Sequence, residues 1–227
     1  MLPHIATRRI AQLGRSITFK QPNRRLFMGN TGSHTHNYLT PTTPTAIEAA
    51  RLREASPPAA KEEVATVATG CFWGPDWIVR RQFGDQGLIS SKVGYTGGHV
   101  SNPKYRQVCS GTTGHAEAVR VVYDPKKISY AEMIEFFLRT HDATDLGGQG
   151  NDRGSQYRSA IFTHSDEQAT VAKAVISDIE KAGRFNGKKI ATEVTPAKEW
   201  YEAEPDHQDY LDENPGGYHC PAHRPYW

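Results

Sequence analysis

Cysteine is scarce in this chain of 227 residues, which contains three of them: Cys71, Cys109 and Cys220. A disulfide framework needs more cysteines in a chain of such length, and an odd number leaves one unpaired. The shortage therefore excludes a scaffold stabilised mainly by disulfides. It indicates either a reducing compartment or thiols that take part in chemistry.

A charge excess and long hydrophobic runs are also missing. The 27 Lys and Arg residues nearly balance the 25 Asp and Glu residues, so the basic face typical of nucleic-acid-binding proteins is not expected. No apolar run approaches the ~20 residues of a membrane-spanning helix. Neither a heptad pattern nor an obvious apolar patch is visible, and we therefore expect a monomer without a membrane span.

Acidic residues are absent from the first 47 positions, and the first one is Glu48. The same segment is rich in Arg, with scattered Ser and Thr. A helix here would sort Ile5, Arg8, Arg9 and Gln12 onto one face and Ile10, Leu13 and Ile17 onto another. This pattern is typical of a mitochondrial presequence, and the alternative is a disordered basic tail. Met28-Gly29 also begins a match to the myristoylation pattern, which predicts a cytoplasmic form if translation starts at Met28.

Proline marks the next segment, with Pro41, Pro44, Pro57 and Pro58 among small polar residues in positions 34–60. Such a composition is typical of a linker. We therefore predict a basic presequence and flexible linker over residues 1–60, and a single globular domain over residues 61–227. That domain length agrees with the usual ~100–200 residues.

The periodicity of apolar residues predicts the fold of this domain. Strands are expected over 64–68, 88–95, 116–123, 157–162 and 190–195, and helices over 75–83 and after two capping boxes, at Ser129 and Ser165. Gly183 is expected to end the last helix. The order predicts an α+β two-layer sandwich with a ferredoxin-like βαββαβ plait and a long irregular C-terminal tail.

Cys71 lies between the first predicted strand and the helix that begins near Pro75. The free N–H groups and positive dipole of a helix N-terminus stabilise a thiolate, so we expect a lowered pKa for Cys71. The alternative is a buried, inert cysteine. Gly70 and Gly74 favour the nucleophile, because flanking glycines let a substrate approach the backbone closely.

Three further side chains extend this candidate site. Glu117 has the same strand parity as Val119, so it is expected on an apolar face, where burial raises a carboxyl pKa and favours a general acid. The alternative is an edge-strand Glu that points to solvent. Phe72 and Trp73 follow Cys71 and suit the wall of a small apolar pocket, although aromatic residues belong more often to a core.

Polar residues elsewhere add to the prediction. Tyr105, Asp152 and Tyr157 are candidates to orient a substrate oxygen by hydrogen bonds, although each alone is more typical of a surface or turn residue. Gly216-Gly217 predicts a mobile tail that carries Cys220 to another thiol. A zinc site at His219, Cys220 and His223 is a weak alternative, because no C-x-x-C motif occurs. No metal is therefore predicted.

Six ordered motifs resemble one known family. They are Gly70-Cys71-Phe72-Trp73-Gly74, Gly94-Tyr95-Thr96-Gly97-Gly98, Asn102-Pro103 with Tyr105, Gly114-His115-Ala116-Glu117, the pair Gly150-Asn151-Asp152 and Gln156-Tyr157-Arg158-Ser159, and Asn214-Pro215 with Tyr218. They resemble the peptide methionine sulfoxide reductases of class A, and they span residues 64–223.

The resemblance implies a role for each residue. Cys71 attacks the sulfur of methionine sulfoxide, Glu117 protonates its oxygen, Tyr105, Asp152 and Tyr157 hold that oxygen, and Phe72 and Trp73 enclose the methyl group. Cys71 becomes a sulfenic acid, a resolving cysteine forms a disulfide with it, and thioredoxin reduces that disulfide. The implied substrates are free and protein-bound methionine-S-sulfoxide, as in the repair of oxidised proteins, and no cofactor is required.

Recycling is where the chain departs from some relatives, which use two C-terminal cysteines in relay. Cys220 is the single one here, so we predict a one-step Cys71–Cys220 disulfide, with Cys109 as a structural thiol. Two other functions remain open from sequence. One is another thiol enzyme, such as a peroxidase or a hydrolase with His115 as base; the other is a binding module that uses the Phe72-Trp73 pocket.

Overall fold

The computed structural model describes residues 40–227. The predicted presequence lies outside the described residues except for its last positions, and so do Met28 and Gly29. Within the described part, no helix is long and apolar enough to cross a membrane.

Six helices and eight strands form the described part of the chain. The helices are α1 Pro44–Ala55, α2 Trp73–Phe83, α3 Tyr105–Cys109, α4 Tyr130–Arg139, α5 Asp166–Lys181 and α6 Tyr210–Glu213. The strands are β1 Glu63–Thr69, β2 Leu88–Thr96, β3 Ala116–Tyr123, β4 Gly148–Gln149, β5 Asp152–Arg153, β6 Ser159–Thr163, β7 Glu193–Pro196 and β8 Tyr201–Glu202. The strands predicted at 157–162 and 190–195 begin later than expected; a 3-10 turn over Ser155–Tyr157 precedes β6.

The main sheet has the order β7-β6-β1-β3-β2-β8. Its four inner strands pair antiparallel, with β1 between β6 and β3 and with β3 between β1 and β2. With α2 and α4 as connections, this is the ferredoxin-like βαββαβ order, and the predicted fold is confirmed. After α5, β7 adds to β6 in parallel, and β8 extends the other edge antiparallel to β2.

The two faces of the sheet differ because alternate residues of each strand point to opposite sides. Val67, Val119 and Val121 belong to the large core formed with α2, α4 and α5. The opposite face carries a small cluster of alanines with Phe162, partly covered by Trp200. One face is therefore thickly packed by helices, and the other is covered by an irregular segment.

The predicted capping boxes are confirmed in one case and half-formed in the other. Ser129 Oγ accepts the Glu132 N–H, and Glu132 accepts the Ser129 N–H in return. Ser165 Oγ accepts the Gln168 N–H, but Gln168 Oε1 accepts from the His164 N–H instead. Gly183 has a left-handed backbone just beyond α5, as expected for a residue that ends a helix.

The predicted flexible linker over 34–60 is wrong for α1. Thr43 caps this helix, Pro44 opens its first turn, and Ala46 is fully buried in the core. The Glu135 carboxylate, buried on α4, accepts from the N–H and hydroxyl groups of both Thr42 and Thr43 at 2.7–3.1 Å. Pro44 begins a helix here, and a carboxylate distant in sequence holds it.

The C-terminal tail is irregular, as predicted, but it is fastened to α4. Arg139 donates to the carbonyl oxygens of Thr40, at 3.1 Å, and Trp227, at 3.2 Å. The Trp227 indole N–H donates to Thr42 Oγ1 at 3.2 Å. The beginning and the end of the described chain therefore lie side by side on α4.

Candidate active site

Cys71 lies where β1 passes into α2, with a side chain that is 7% exposed. Gly70 before it has φ +98°, a left-handed backbone that favours glycine, and a Cβ there would overlap the Gln149 side chain. The backbone therefore places the thiol at the N-terminal end of α2, as the sequence predicted.

The thiol pKa is shifted against the prediction. Burial raises the pKa of Cys71 well above its ordinary value, and the neighbouring Glu117 carboxyl adds to the rise. A hydrogen bond from the Trp73 backbone N–H at the helix start lowers it, but by less. The prediction of a lowered pKa is wrong for the free protein, because desolvation outweighs the helix N-terminus.

Glu117 is buried on the core face of β3, with 1% exposure, beside Val119. Its Oε2 accepts the Phe72 N–H at 3.1 Å, and its Oε1 is buried without a protein partner. Burial raises the pKa of Glu117 to about 8, and the Asp152 charge adds to this, while the Phe72 N–H opposes it. The solvent-exposed alternative is excluded, and a carboxyl that keeps its proton at neutral pH faces Cys71.

An aromatic cluster surrounds the start of α2. Trp73 stacks on Tyr210, with ring centroids 3.8 Å apart. The His207 ring lies 5.5 Å from Phe72, 5.7 Å from Trp73 and 4.2 Å from Tyr105. Sequence reasoning missed His207 and Tyr210, and the only signal for them was the density of aromatic residues near the C-terminus.

Tyr105 and Tyr157 lie beside Cys109, which is partly buried. Hydrogen bonds from both tyrosines lower the pKa of Cys109, although burial raises it more. Burial raises the pKa values of both tyrosines, and the charges of Glu117 and Cys71 add to the rise. The structure therefore brings these tyrosines to the Cys71 site, and it places Cys109 at the border of the same site.

His115 does not serve Cys71 as a base would. Its Nδ1 accepts the Gly98 N–H at 3.2 Å, and its Nε2 lies 2.7 Å from the Val100 carbonyl oxygen. Both ring nitrogens are therefore engaged by a backbone turn. A hydrolase that depends on a Cys71–His115 pair finds no support in this geometry.

The Asp152 carboxylate accepts a hydrogen bond from the C-terminal tail. The Tyr218 hydroxyl donates to Asp152 Oδ2 at 3.0 Å. Asp152 also raises the pKa values of Cys71 and Glu117 through its charge. The predicted oxygen-holding residue is therefore near the thiol and the carboxyl, and a tail residue occupies one of its oxygens.

Cys220 is 5% exposed, and its thiol donates to the Gln149 carbonyl oxygen at 3.5 Å. All three cysteines are free thiols. Gln149 links the two thiols, because its carbonyl oxygen accepts from Cys220 and its side chain packs against Gly70, the residue before Cys71. The tail therefore delivers Cys220 to the site already in the reduced form.

His223 fastens this part of the tail. Its Nε2 lies 2.7 Å from the Thr69 carbonyl oxygen, and its Nδ1 is buried without a protein partner. The ring fills the space beside the two glycines that flank Cys71: a Cβ on Gly70 would lie 3.3 Å from it, and one on Gly74 would overlap it. Sequence reasoning considered His223 only as a zinc ligand; within residues 40–227, no group of three potential ligands converges.

The fold and the site together define a class: an α+β protein whose ferredoxin-like sheet buries a cysteine thiol beside a protonated carboxyl. Residues 63–225 match the family model described as peptide methionine sulfoxide reductase. A probable peptide methionine sulfoxide reductase of Schizosaccharomyces pombe is 46% identical over 166 residues, 73% of this chain and 97% of the relative. A peptide methionine sulfoxide reductase MsrA of Nocardia farcinica is 50% identical over 163 residues, 72% and 91% of the two chains.

Solved structures agree. The reduced form of Mxr1 from Saccharomyces cerevisiae is similar with a TM-score of 0.69 and 40% identity, over 74% of this chain and 94% of that one. Methionine sulfoxide reductase A of Corynebacterium diphtheriae is similar with a TM-score of 0.61 and 38% identity, over 72% and 79%. This chain belongs to the peptide methionine sulfoxide reductase family, and it is an oxidoreductase of the MsrA type.

Proposed function

We propose that this protein reduces methionine-S-sulfoxide, free and in proteins, with Cys71 as the nucleophile. The observation that carries the proposal is the buried Cys71 thiol beside the Glu117 carboxyl, whose pKa is raised to about 8 by burial. At neutral pH this carboxyl is a buried proton donor beside the thiol. A sulfoxide needs such a donor, because its oxygen must be protonated to leave.

The reaction balances with these two groups. Glu117 gives its proton to the sulfoxide oxygen, and the resulting carboxylate takes the proton of the Cys71 thiol, which offsets the raised pKa of that thiol. The Cys71 sulfur attacks the electrophilic substrate sulfur, and the oxygen passes to Cys71. Methionine leaves as the product, reduced by two electrons relative to the sulfoxide, and Cys71 becomes a sulfenic acid.

The surrounding residues suit this substrate. Phe72 and Trp73 wall the apolar side, where the methyl group binds. Tyr105, Asp152 and Tyr157 lie on the polar side, where hydroxyl and carboxyl groups hold the oxygen. No cofactor takes part in these steps.

Cys220 is the resolving thiol in this proposal. It attacks the Cys71 sulfenic acid, water leaves, and a Cys71–Cys220 disulfide forms in one step. Thioredoxin then reduces the disulfide by thiol exchange, and both thiols return. The crystal structure of Mxr1 from Saccharomyces cerevisiae in complex with Trx2 is similar to this chain, with a TM-score of 0.50 and 28% identity, and it supports this partner.

The experiment compares the wild type with Cys220→Ala. In a single turnover, Cys220→Ala should still form one methionine per enzyme from the S epimer of the sulfoxide, and none from the R epimer. Continuous turnover with thioredoxin should collapse. Unchanged cycling would refute the role of Cys220, and the double variant Cys109→Ala/Cys220→Ala then shows whether Cys109 resolves instead. Equal turnover of hydrogen peroxide would favour a thiol peroxidase.

We also propose that the acid-free N-terminus directs the chain to mitochondria, with a cytoplasmic form that starts at Met28 as the alternative. The support is the composition of residues 1–47. Mass spectrometry of the N-terminus of the protein from each cell fraction tests both ideas. An N-terminus at Met1 in a cytoplasmic fraction alone would contradict them.

A further inference from the structure

A basic row crosses the sheet on the face away from the active site. Thr66 of β1 and Lys92 of β2 are both register partners of Arg120 on β3, so the three side chains lie in one line. His164, just after β6, joins the row, with its Nε2 2.9 Å from Thr66 Oγ1. None of these residues contributes to the proposed reaction.

A cavity of about 250 Å³ lies over this row. Its lining contains two cationic groups, an imidazole and two hydroxyls, with Trp200 as a wall and no carboxylate: Thr66, Thr96, Arg120, His164, Ala197, Lys198 and Trp200. The acids of the covering segment are engaged elsewhere. Glu199 accepts the Tyr201 hydroxyl, and Glu202 pairs with Lys92 at 3.7 Å.

Arg120 lacks the carboxylate partner that most of the partly buried arginines have. Among residues 40–227, it has no carboxylate within 4.0 Å, and its Nε is buried without a partner. Four other arginines that lose solvent have carboxylate partners: Arg53 with Glu132, Arg80 with Asp76, Asp209 and Asp212, Arg139 with Glu135, and Arg158 with Glu193. Arg184 has none among the described residues, but its guanidinium lies over the Trp227 ring at 5.8 Å. A guanidinium taken from water without a counter-charge is costly, and a bound anion removes that cost.

We propose that this cavity binds a phosphate group, either as inorganic phosphate or as part of a small phosphomonoester. A guanidinium offers two parallel donors to phosphate oxygens, and the Lys198 ammonium in the same lining adds a third donor with a positive charge. The flat Trp200 ring leaves room for a short organic group beside the phosphate.

His164 provides a reporter inside the site. Burial lowers the pKa of His164, and the positive charge of Arg120 lowers it further. A phosphate between these two groups reverses that field, so the His164 pKa should rise when phosphate binds. The pKa of His164 thus reports whether an anion occupies the cavity, and its measurement does not depend on enzyme activity.

The experiment titrates His164 by NMR in the full-length protein, in phosphate-free buffer at fixed ionic strength. Inorganic phosphate, glycerol 3-phosphate and chloride are added separately. Phosphate or its ester should raise the His164 pKa, and chloride should not. A response to glycerol 3-phosphate alone assigns the site to a phosphomonoester, and a response to both assigns it to the phosphate group itself.

Two variants complete the test. Arg120→Gln should raise the His164 pKa without any ligand and weaken phosphate binding by about tenfold or more, because a charge-assisted pair is lost. Arg51→Gln, which removes an equal charge from exposed α1, should change neither. A His164 pKa that ignores both phosphate forms, or an equal response in Arg120→Gln and the wild type, would overturn the proposal.

Discussion

The two thiols of the proposed cycle are held in opposite ways. Cys71 sits between β1 and α2, and its partner Glu117 lies on β3, a strand paired on both sides. Cys220 lies beyond α6 in a segment without regular structure. It is kept in place by side-chain contacts: its own to Gln149, Tyr218 to Asp152 and His223 to Thr69.

This difference follows the demands of the two steps. Attack on the sulfoxide needs a thiol and a proton donor in one fixed geometry, which a sheet and a helix provide. Resolution needs Cys220 to approach Cys71 after oxidation and to become accessible to a reductant, so its segment must move. A few side-chain contacts release such a segment more easily than a ladder of backbone hydrogen bonds.

Glu117→Gln should have the largest effect of these variants. It should slow sulfoxide reduction at Cys71 and leave the step that involves Cys220 unchanged. The amide still accepts the Phe72 N–H, but it has no acidic proton, so the single-turnover rate of sulfoxide reduction should drop by about 10²–10⁴-fold. Disulfide formation after oxidation of Cys71 by peroxide should change little. Rapid-quench measurement of methionine and free-thiol titration separate the two steps.

The pH profile of the wild type tests the same assignment. Glu117 holds its proton below a pKa of about 8, so the single-turnover rate should fall as pH rises through that value. The descending limb should be missing in Glu117→Gln. A limb of the same shape in both proteins would point to another group.

Gly74→Ala should disturb the contact between α2 and the C-terminal tail that carries Cys220. The new methyl group would overlap the His223 ring, so the tail must shift, at a cost of about 1–3 kcal/mol in the free energy of unfolding. Disulfide formation should slow more than sulfoxide reduction. Gly216→Ala is the matched control, since nothing lies within 4 Å of its added methyl. Equal loss of stability in both variants would show that the His223 contact is unimportant.

His223→Ala should act on the tail alone. Loss of the hydrogen bond to Thr69 and of the packing on Gly70 and Gly74 should slow disulfide formation by about tenfold, equivalent to ~1.4 kcal/mol. Sulfoxide reduction in a single turnover should persist. His223→Gln keeps a donor and should restore part of the rate, whereas His99→Ala, at an exposed site, should have no effect. An equal fall in the rates of sulfoxide reduction and of disulfide formation would indicate general damage to the fold.

Tyr218→Phe should have the smallest effect. Its hydroxyl occupies Asp152 in the free protein, and substrate must displace it there. Removing a partly exposed hydrogen bond of about 0.5–1.5 kcal/mol should lower KM for methionine sulfoxide by about two- to tenfold at similar kcat. Tyr201→Phe, whose hydroxyl meets Glu199 far from the thiol, should leave KM unchanged. A raised KM would mean that Tyr218 holds the substrate itself.

The sequence predicted the fixed region well and the tail poorly, for a physical reason. Period-two alternation in β3 placed Glu117 on the core face, and the glycines and Pro75 located the strand–helix junction at Cys71. The direction of the Cys71 pKa shift was predicted wrongly, because desolvation depends on the three-dimensional surroundings of the thiol. His207, Tyr210 and His223 lie in segments without periodicity, so no pattern indicated their partners.

The helix α1, near the start of the described residues, was also predicted wrongly because its contacts are distant in sequence. Its composition predicts a linker, and what makes it a docked helix is the buried Glu135 carboxylate, 92 residues from Thr43. Such a contact leaves no local trace in the sequence. Short-range signals therefore located strands, caps and the nucleophile, whereas contacts between distant irregular segments had to be observed.

The meeting of Thr40 and Trp227 on Arg139 has a topological consequence. Since Thr40 and Trp227 lie side by side, a short glycine linker can join them in a variant that begins at Thr40. That variant can be reopened at an exposed turn such as Gly187, where an added methyl group meets nothing within 4 Å. In that circular permutant the segment carrying Cys220 becomes an internal loop tethered on both sides. The permutant thus measures how much of the cycle depends on the freedom of the Cys220 segment to move.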